Sequence, residues 1–143
     1  MILNRRHALM IAFVSSICLW GQSSETFRTR LSPVAIDTAM VASITGSGTV
    51  TAELAGSKLM LAGSFQGLKS PATEASIHQG SLPGVRGNSL FNLTVSKASS
   101  GTVSGAFDLN PEQVESLKKG RWYVQVQSEN APNGNLWGWL WKR

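Results

Sequence analysis

Two segments decide the fold: Thr73 to Gly80, TEASIHQG, and Arg121 to Ser128, RWYVQVQS. Both alternate apolar and polar residues with a period of two, the signature of a strand with one buried face. That parity sends Ala75, Ile77, Trp122, Val124 and Val126 to one side of a sheet and Ser76, His78, Tyr123, Gln125 and Gln127 to the other. If the two strands are neighbours, the outer wall of the domain carries a row of polar and aromatic side chains with a histidine among them.

Working outward, further strand pairs surround these two. Thr49 to Leu54 and Lys58 to Phe65 read as a hairpin around Ala55-Gly56-Ser57, with Leu59, Leu61, Gly63 and Phe65 on one parity. Asn88 to Ser96 and Thr102 to Leu109 form another pair, and Gly80 to Gly87, GSLPGVRG, is a loop punctuated by three glycines and a proline. Glu25 to Ile44 is looser: Phe27 and Leu31 start a strand, Pro33 interrupts it, and Val34 to Ile44 reads as a long connection or irregular edge. A short helix is predicted over Pro111 to Lys118, since Asn110 is a good N-cap, Pro111 fits the first turn and Gly120 stops it. Leu136 to Trp141 reads as the closing strand after a Pro132-Asn133-Gly134 turn. About eight short strands with regularly spaced turns predict an all-β antiparallel Greek-key sandwich or barrel with one short helix.

The amino terminus reads as an export signal over residues 1–23: positive Arg5 and Arg6, an apolar run from Ala8 to Trp20, then small residues at Gly21 and Ser23. The run has about 13 residues, short of the roughly 20 a membrane span needs, so a retained anchor is the minor alternative. Arg5-Arg6 resembles a twin-arginine signal only weakly, because Ala8 stands where a strongly apolar residue is usual. Cys18 follows Ile17, which does not suit lipid attachment. As the chain's one cysteine, it leaves residues 24–143 without disulfides, so a single hydrophobic core must hold the domain. The predicted location is periplasmic or secreted. The formal charge of +5 includes Arg5 and Arg6, and the remaining basic residues are scattered; no nucleic-acid surface is expected.

Several segments in a fixed order resemble the CHRD domain, a module named for chordin and common in exported bacterial proteins. They are Gly48-Thr49-Val50-Thr51, Leu61 to Leu68, Ala75-Ser76-Ile77-His78, Pro83-Gly84-Val85-Arg86-Gly87, Gly105 to Leu109 and Gly120 to Val126, within a resemblance that extends over about 31–140. The resemblance implies a β-sandwich similar to copper/zinc superoxide dismutase or an immunoglobulin domain. It also implies a metal-like ligand set, because the family pattern usually has His-x-His at Ser76-Ile77-His78, a histidine at Gln127 and a glutamate at Asn135. Three imidazoles and a carboxylate would suit zinc or copper. Here only His78 survives of the four, so the set reads as a degenerate metal site, with Ser76, Gln127 and Asn135 as weak neighbours and no cofactor expected.

Nothing else spells out a reaction. Carboxylates fall singly at strand ends or on the helix, and no Gly-x-Ser-x-Gly elbow, phosphate loop or dinucleotide fingerprint occurs. The chain is therefore expected not to be an enzyme. The unusual stretch is Asn135-Leu136-Trp137-Gly138-Trp139-Leu140-Trp141. If Leu136, Gly138 and Leu140 face the core, Trp137, Trp139 and Trp141 point outward; the inverse parity buries them. The outward parity would join them to Tyr123, Gln125 and Gln127 as a docking face for an envelope or secreted protein, or for the chain itself. A copper or zinc protein of superoxide-dismutase-like architecture is the alternative, and glycan binding by the indoles a second one.

Overall fold

The computed structural model describes residues 24–143, so the signal reading of 1–23 lies outside the described residues. Its strands are β1 (Ser24–Pro33), β2 (Ser47–Ala55), β3 (Lys58–Gln66), β4 (Ala72–Gln79), β5 (Asn88–Val95), β6 (Gly101–Asp108), β7 (Trp122–Ser128), β8 (Ala131–Trp139) and the two-residue β9 (Trp141–Lys142). One helix, α1 (Pro111–Lys118), joins β6 to β7. All pairings are antiparallel, in the order β2-β3-β6-β5-β4-β7-β8-β1, and β1 also pairs with β2. The sheet therefore closes into an eight-stranded barrel, which leaves none of these eight strands as a free edge. β4, β5 and β6 form a meander whose last strand returns to β3, the Greek-key arrangement.

Period-two patterning fills the barrel. Ala75 and Ile77 of β4, Trp122, Val124 and Val126 of β7, Leu59, Leu61 and Phe65 of β3, and Phe27 and Leu31 of β1 are all buried in one core. At about 25 cal/mol per Å² of apolar surface, such burial is the main stabilising term for a domain without disulfides. β2 and β3 turn tightly, with Ala55 opposite Lys58 and Gly56 at a φ of 62° that favours glycine.

The helix forms where expected because its end groups are satisfied. The Asn110 side chain accepts from the Gln113 amide while the Gln113 side chain accepts from the Asn110 amide, a reciprocal cap. On its exposed side, a hydrogen bond from Lys119 and the attraction of that charge hold the Glu115 carboxyl below its ordinary range. Leu117 enters the core, and Ser116 Oγ accepts from Trp122 Nε1 at 3.1 Å, which seats the helix across one barrel end.

Two chain segments differ from the sequence reading. The loose N-terminal stretch contains the ten-residue β1, whose pairing with both β2 and β8 closes the barrel. Pro33 is tolerated because it is the strand's last residue. The other correction concerns Pro132-Asn133-Gly134, which is not the turn before the closing strand. The turn is Glu129-Asn130, with Ser128 opposite Ala131. Glu129 N donates to Pro71 O and Asn130 N to Ser70 Oγ, anchoring it to the β3–β4 connection. Pro132 to Gly134 instead bulge out of β8 before Leu136 meets Val126.

Candidate functional site

β4, β7 and β8 lie side by side, and their outward residues come into register: Ser76 faces Gln125, which faces Trp137, and His78 faces Tyr123, which faces Trp139. Tyr123 is the centre of the aromatic contacts, with His78 and Trp139 directly across from it and Trp137 on the diagonal. The His78 and Tyr123 rings lie 5.0 Å apart at 18°, Tyr123 and Trp137 5.3 Å apart at 23°, and Tyr123 and Trp139 4.5 Å apart at 46°. Each such aromatic pair contributes about 0.5–1.5 kcal/mol beyond its buried area.

The β4–β5 loop, residues 80–87, folds over this stack. Tyr123 Oη accepts from Gly87 N and donates to Gly87 O, both at 3.0 Å. His78 Nδ1 also lies 3.0 Å from Gly87 O. A carbonyl only accepts, so Nδ1 carries the proton, and in the neutral ring Nε2 accepts from Ser76 Oγ at 2.8 Å. Both ring nitrogens are thus committed to the protein. The preceding loop residue, Arg86, lays its guanidinium 4.3 Å from the centre of the Trp137 ring, a cation–π contact worth about 0.5–1 kcal/mol where solvent reaches it.

Tyr123→Phe is expected to destabilise the domain by about 1 kcal/mol, the net contribution of a typical hydrogen bond. The Gly87 amide should exchange faster in hydrogen-exchange measurements, while Val124 and Val126 stay protected. A slow Gly87 amide in the variant would show that the hydroxyl does not hold this loop.

The four positions read as a degenerate metal site do not converge. Ser76 and His78 touch, but Gln127 lies opposite Glu74, beyond the Ser76–Gln125 pair. Asn135 is fully buried and turns elsewhere: its Oδ1 accepts from Ser128 Oγ at 2.9 Å and its Nδ2 donates to Thr45 O at 2.8 Å. It ties β8 to the segment before β2. Among the described residues no three His, Cys, Asp or Glu side chains come together as a metal-binding group.

The tryptophans divide. Trp137 and Trp139 project outside the barrel as the outward parity requires, but Trp137 is only 7% exposed because Arg86 and neighbouring chain cover it. Its Nε1 is buried with no acceptor among the described residues. Trp141 stands apart and half exposed, its ring close against Gly120. Gln125, also buried, donates to Asn133 O at 2.9 Å and fixes the β8 bulge.

Beside the stack, Val34, Ile36, Gly84, Arg86, Trp137 and Trp139 line a pocket of about 330 Å³. Val34 and Ile36 are about half exposed, as are Leu82 and Val85 of the 80–87 loop. The sequence reading missed Val34, Ile36 and Arg86. The signals were present: an apolar Val-Ala-Ile directly after Pro33, and an arginine inside a loop whose glycines promise close backbone approach.

No helix among the described residues is long and apolar enough to cross a membrane. Neither a search of curated proteins nor one of solved structures returns a match. The family comparison does: the CHRD domain model matches residues 27–140, from the core phenylalanine of β1 to the last buried leucine before β9. A match over most of the chain, with the barrel and outer stack built from the same segments, places this protein in the CHRD domain family.

Proposed function

We propose that this protein is an exported, non-enzymatic binding module that docks a protein partner in the pocket between the 80–87 loop and the segment after β1. The observation that carries the reading is the pocket itself. Two indoles form one wall, two half-exposed aliphatic side chains the other, and Arg86 stands at the rim. Exposed apolar side chains gathered around an aromatic floor are what interface anchors require. Arg86 makes no ion pair with another described residue. The charge complement it calls for is a partner segment with a carboxylate beside an aliphatic or aromatic side chain.

His78 supports binding rather than catalysis. With Nδ1 on Gly87 O and Nε2 on Ser76 Oγ, it works as a strut under the loop. Of the four positions read as a degenerate metal site, Ser76 and His78 thus brace the loop that walls the pocket.

A random-peptide library displayed on phage and selected on purified residues 24–143 tests the proposal. Selected peptides are expected to combine Leu, Ile or Phe with Asp or Glu. Their affinity should fall about tenfold or more in both Trp139→Ala and Arg86→Glu, as the loss of an interface anchor predicts. Selection without such a consensus, or affinity unchanged in both variants, would overturn it.

A further inference from the structure

The opposite flank of β8 leads onto a different surface. Ser32 faces Trp137 and Arg28 faces Trp141, so Arg30 falls between these pairs on the outer side of β1. On the other side, the β1–β2 register sets Arg28 against Thr51 and Arg30 against Thr49. Arg143 joins them at the chain's end, where its amide donates to Thr26 O at 2.9 Å. Arg28, Arg30, Arg143, Thr49 and Thr51 border a depression of about 330 Å³. Arg30 and Thr49 also border a second one of about 400 Å³, continued by Ser64, Gln66 and Ser100. Arg30 and Thr49 border both, so the two depressions adjoin and form one shallow groove over β1, β2 and β3, with the arginines along its β1 side.

Among the described residues none of its three arginines makes an ion pair. Glu25 is engaged by Lys118 and Lys142, and Glu115 by Lys119. Glu53, opposite Thr26 on the same outer face, makes no ion pair with the arginines. A row of guanidinium groups lined by hydroxyls suits carboxylate or sulfate, which it can meet with paired N–H donors. Arg28 and Arg30 are one outward step apart, about 6.6 Å along a strand, so they address successive anions on one chain rather than a single small ion. Trp141, paired with Arg28 across β1 and β9 and half exposed, lies just outside the two depressions and offers a stacking plane at their edge. Thr49, Thr51 and Ser64 stand beside the arginines, and their hydroxyls suit a hydroxylated polymer.

We propose that this groove binds an acidic glycan, with carboxylate or sulfate groups on Arg28, Arg30 and Arg143, sugar hydroxyls on Thr49, Thr51 and Ser64, and one ring face on Trp141. The site is separate from the Trp137–Trp139 pocket and does not rest on its assignment.

Calorimetric titration with oligomeric alginate at physiological salt is the test, with neutral dextran and phosphatidylglycerol vesicles as comparisons. Alginate is expected to bind and dextran not to. The Arg28→Glu/Arg30→Glu variant should lose about tenfold or more in affinity, since it removes two charge-assisted contacts to the anions and puts like charges in their place. Trp141→Ala should lose several-fold with little change in salt dependence. Lys118→Glu/Lys119→Glu, which changes net charge equally at the α1 end, should retain binding, and melting curves would confirm that each variant is folded. Equal weakening in the arginine and lysine variants would reduce the effect to general charge attraction and overturn the proposal. So would vesicle binding that depends on Arg28 and Arg30 in the absence of alginate binding.

Discussion

Gly87→Ala is expected to destabilise the barrel by about 3 kcal/mol, at the upper end of what overpacking costs, and to release the 80–87 loop from its outer wall. A Cβ at this position would overlap the Gln79 carbonyl oxygen and come within 2.9 Å of Gly80 Cα. Both neighbours are backbone, so no rotamer change relieves the overlap and the loop must lift. Lifting it breaks the two Tyr123–Gly87 hydrogen bonds and the His78–Gly87 one, and draws Arg86 off Trp137. Urea denaturation gives the stability. In hydrogen exchange, amides of the loop should lose protection while those of β2 and β3 keep theirs. Gly84→Ala is the internal comparison: its added Cβ meets nothing within 4 Å, but φ is 80°, so only the left-handed conformation is penalised, at about 1 kcal/mol. Equal stability of the two variants would mean that the close approach at Gly87 does not hold the loop.

The second large effect is expected at Trp122, which is fully buried where β7 meets α1. Truncation to alanine should cost about 3–5 kcal/mol, the range for large aromatic side chains in cores. That is a major share of the roughly 5–15 kcal/mol available to a domain of this size. Two linked losses add up there. The cavity lies between Phe91 and the inner barrel wall, and Nε1 no longer donates to Gln79 Oε1 and Ser116 Oγ, both at 3.1 Å. Trp122→Phe separates them: it keeps most of the apolar volume, removes the donor and should cost about 1–2 kcal/mol. Denaturant midpoints with an unchanged m-value would give both numbers, and a loss below about 1 kcal/mol in Trp122→Ala would contradict the role assigned to this residue.

Much of the fold was legible because each element carried its own local signal. The alternation in TEASIHQG and RWYVQVQS placed Ala75, Ile77, Trp122, Val124 and Val126 in the core correctly. The Asn110–Pro111 start and Gly120 stop bounded α1. β1 was less legible, since Glu25, Thr29 and Pro33 fall on the parity of its buried Phe27 and Leu31, and even its nearest paired residues, Leu31 and Gly48, are 17 positions apart along the chain. The β7–β8 turn was misplaced because Pro-Asn-Gly is a strong turn signal by itself. Here Ser70 Oγ and Pro71 O, brought from another connection, hold Glu129-Asn130 as the turn instead.

The candidate site divides in the same way. Period two decided which side chains of β4, β7 and β8 leave the barrel, because inverting it would expose Ile77 and Val124 while burying His78 unpaired. It could not decide what covers them. Whether Trp137 is bare or capped, whether Asn135 joins His78 or turns to Thr45, and which arginines share a groove depend on loops crossing the barrel and on cross-strand register. Local patterning carries the class of fold and the inward face of each regular strand, and the order of the segments carries membership of the CHRD family. The tertiary structure alone decided the pocket and the arginine groove, because both are made by residues distant in the chain whose meeting is set by closure of the sheet, and no local preference encodes that closure.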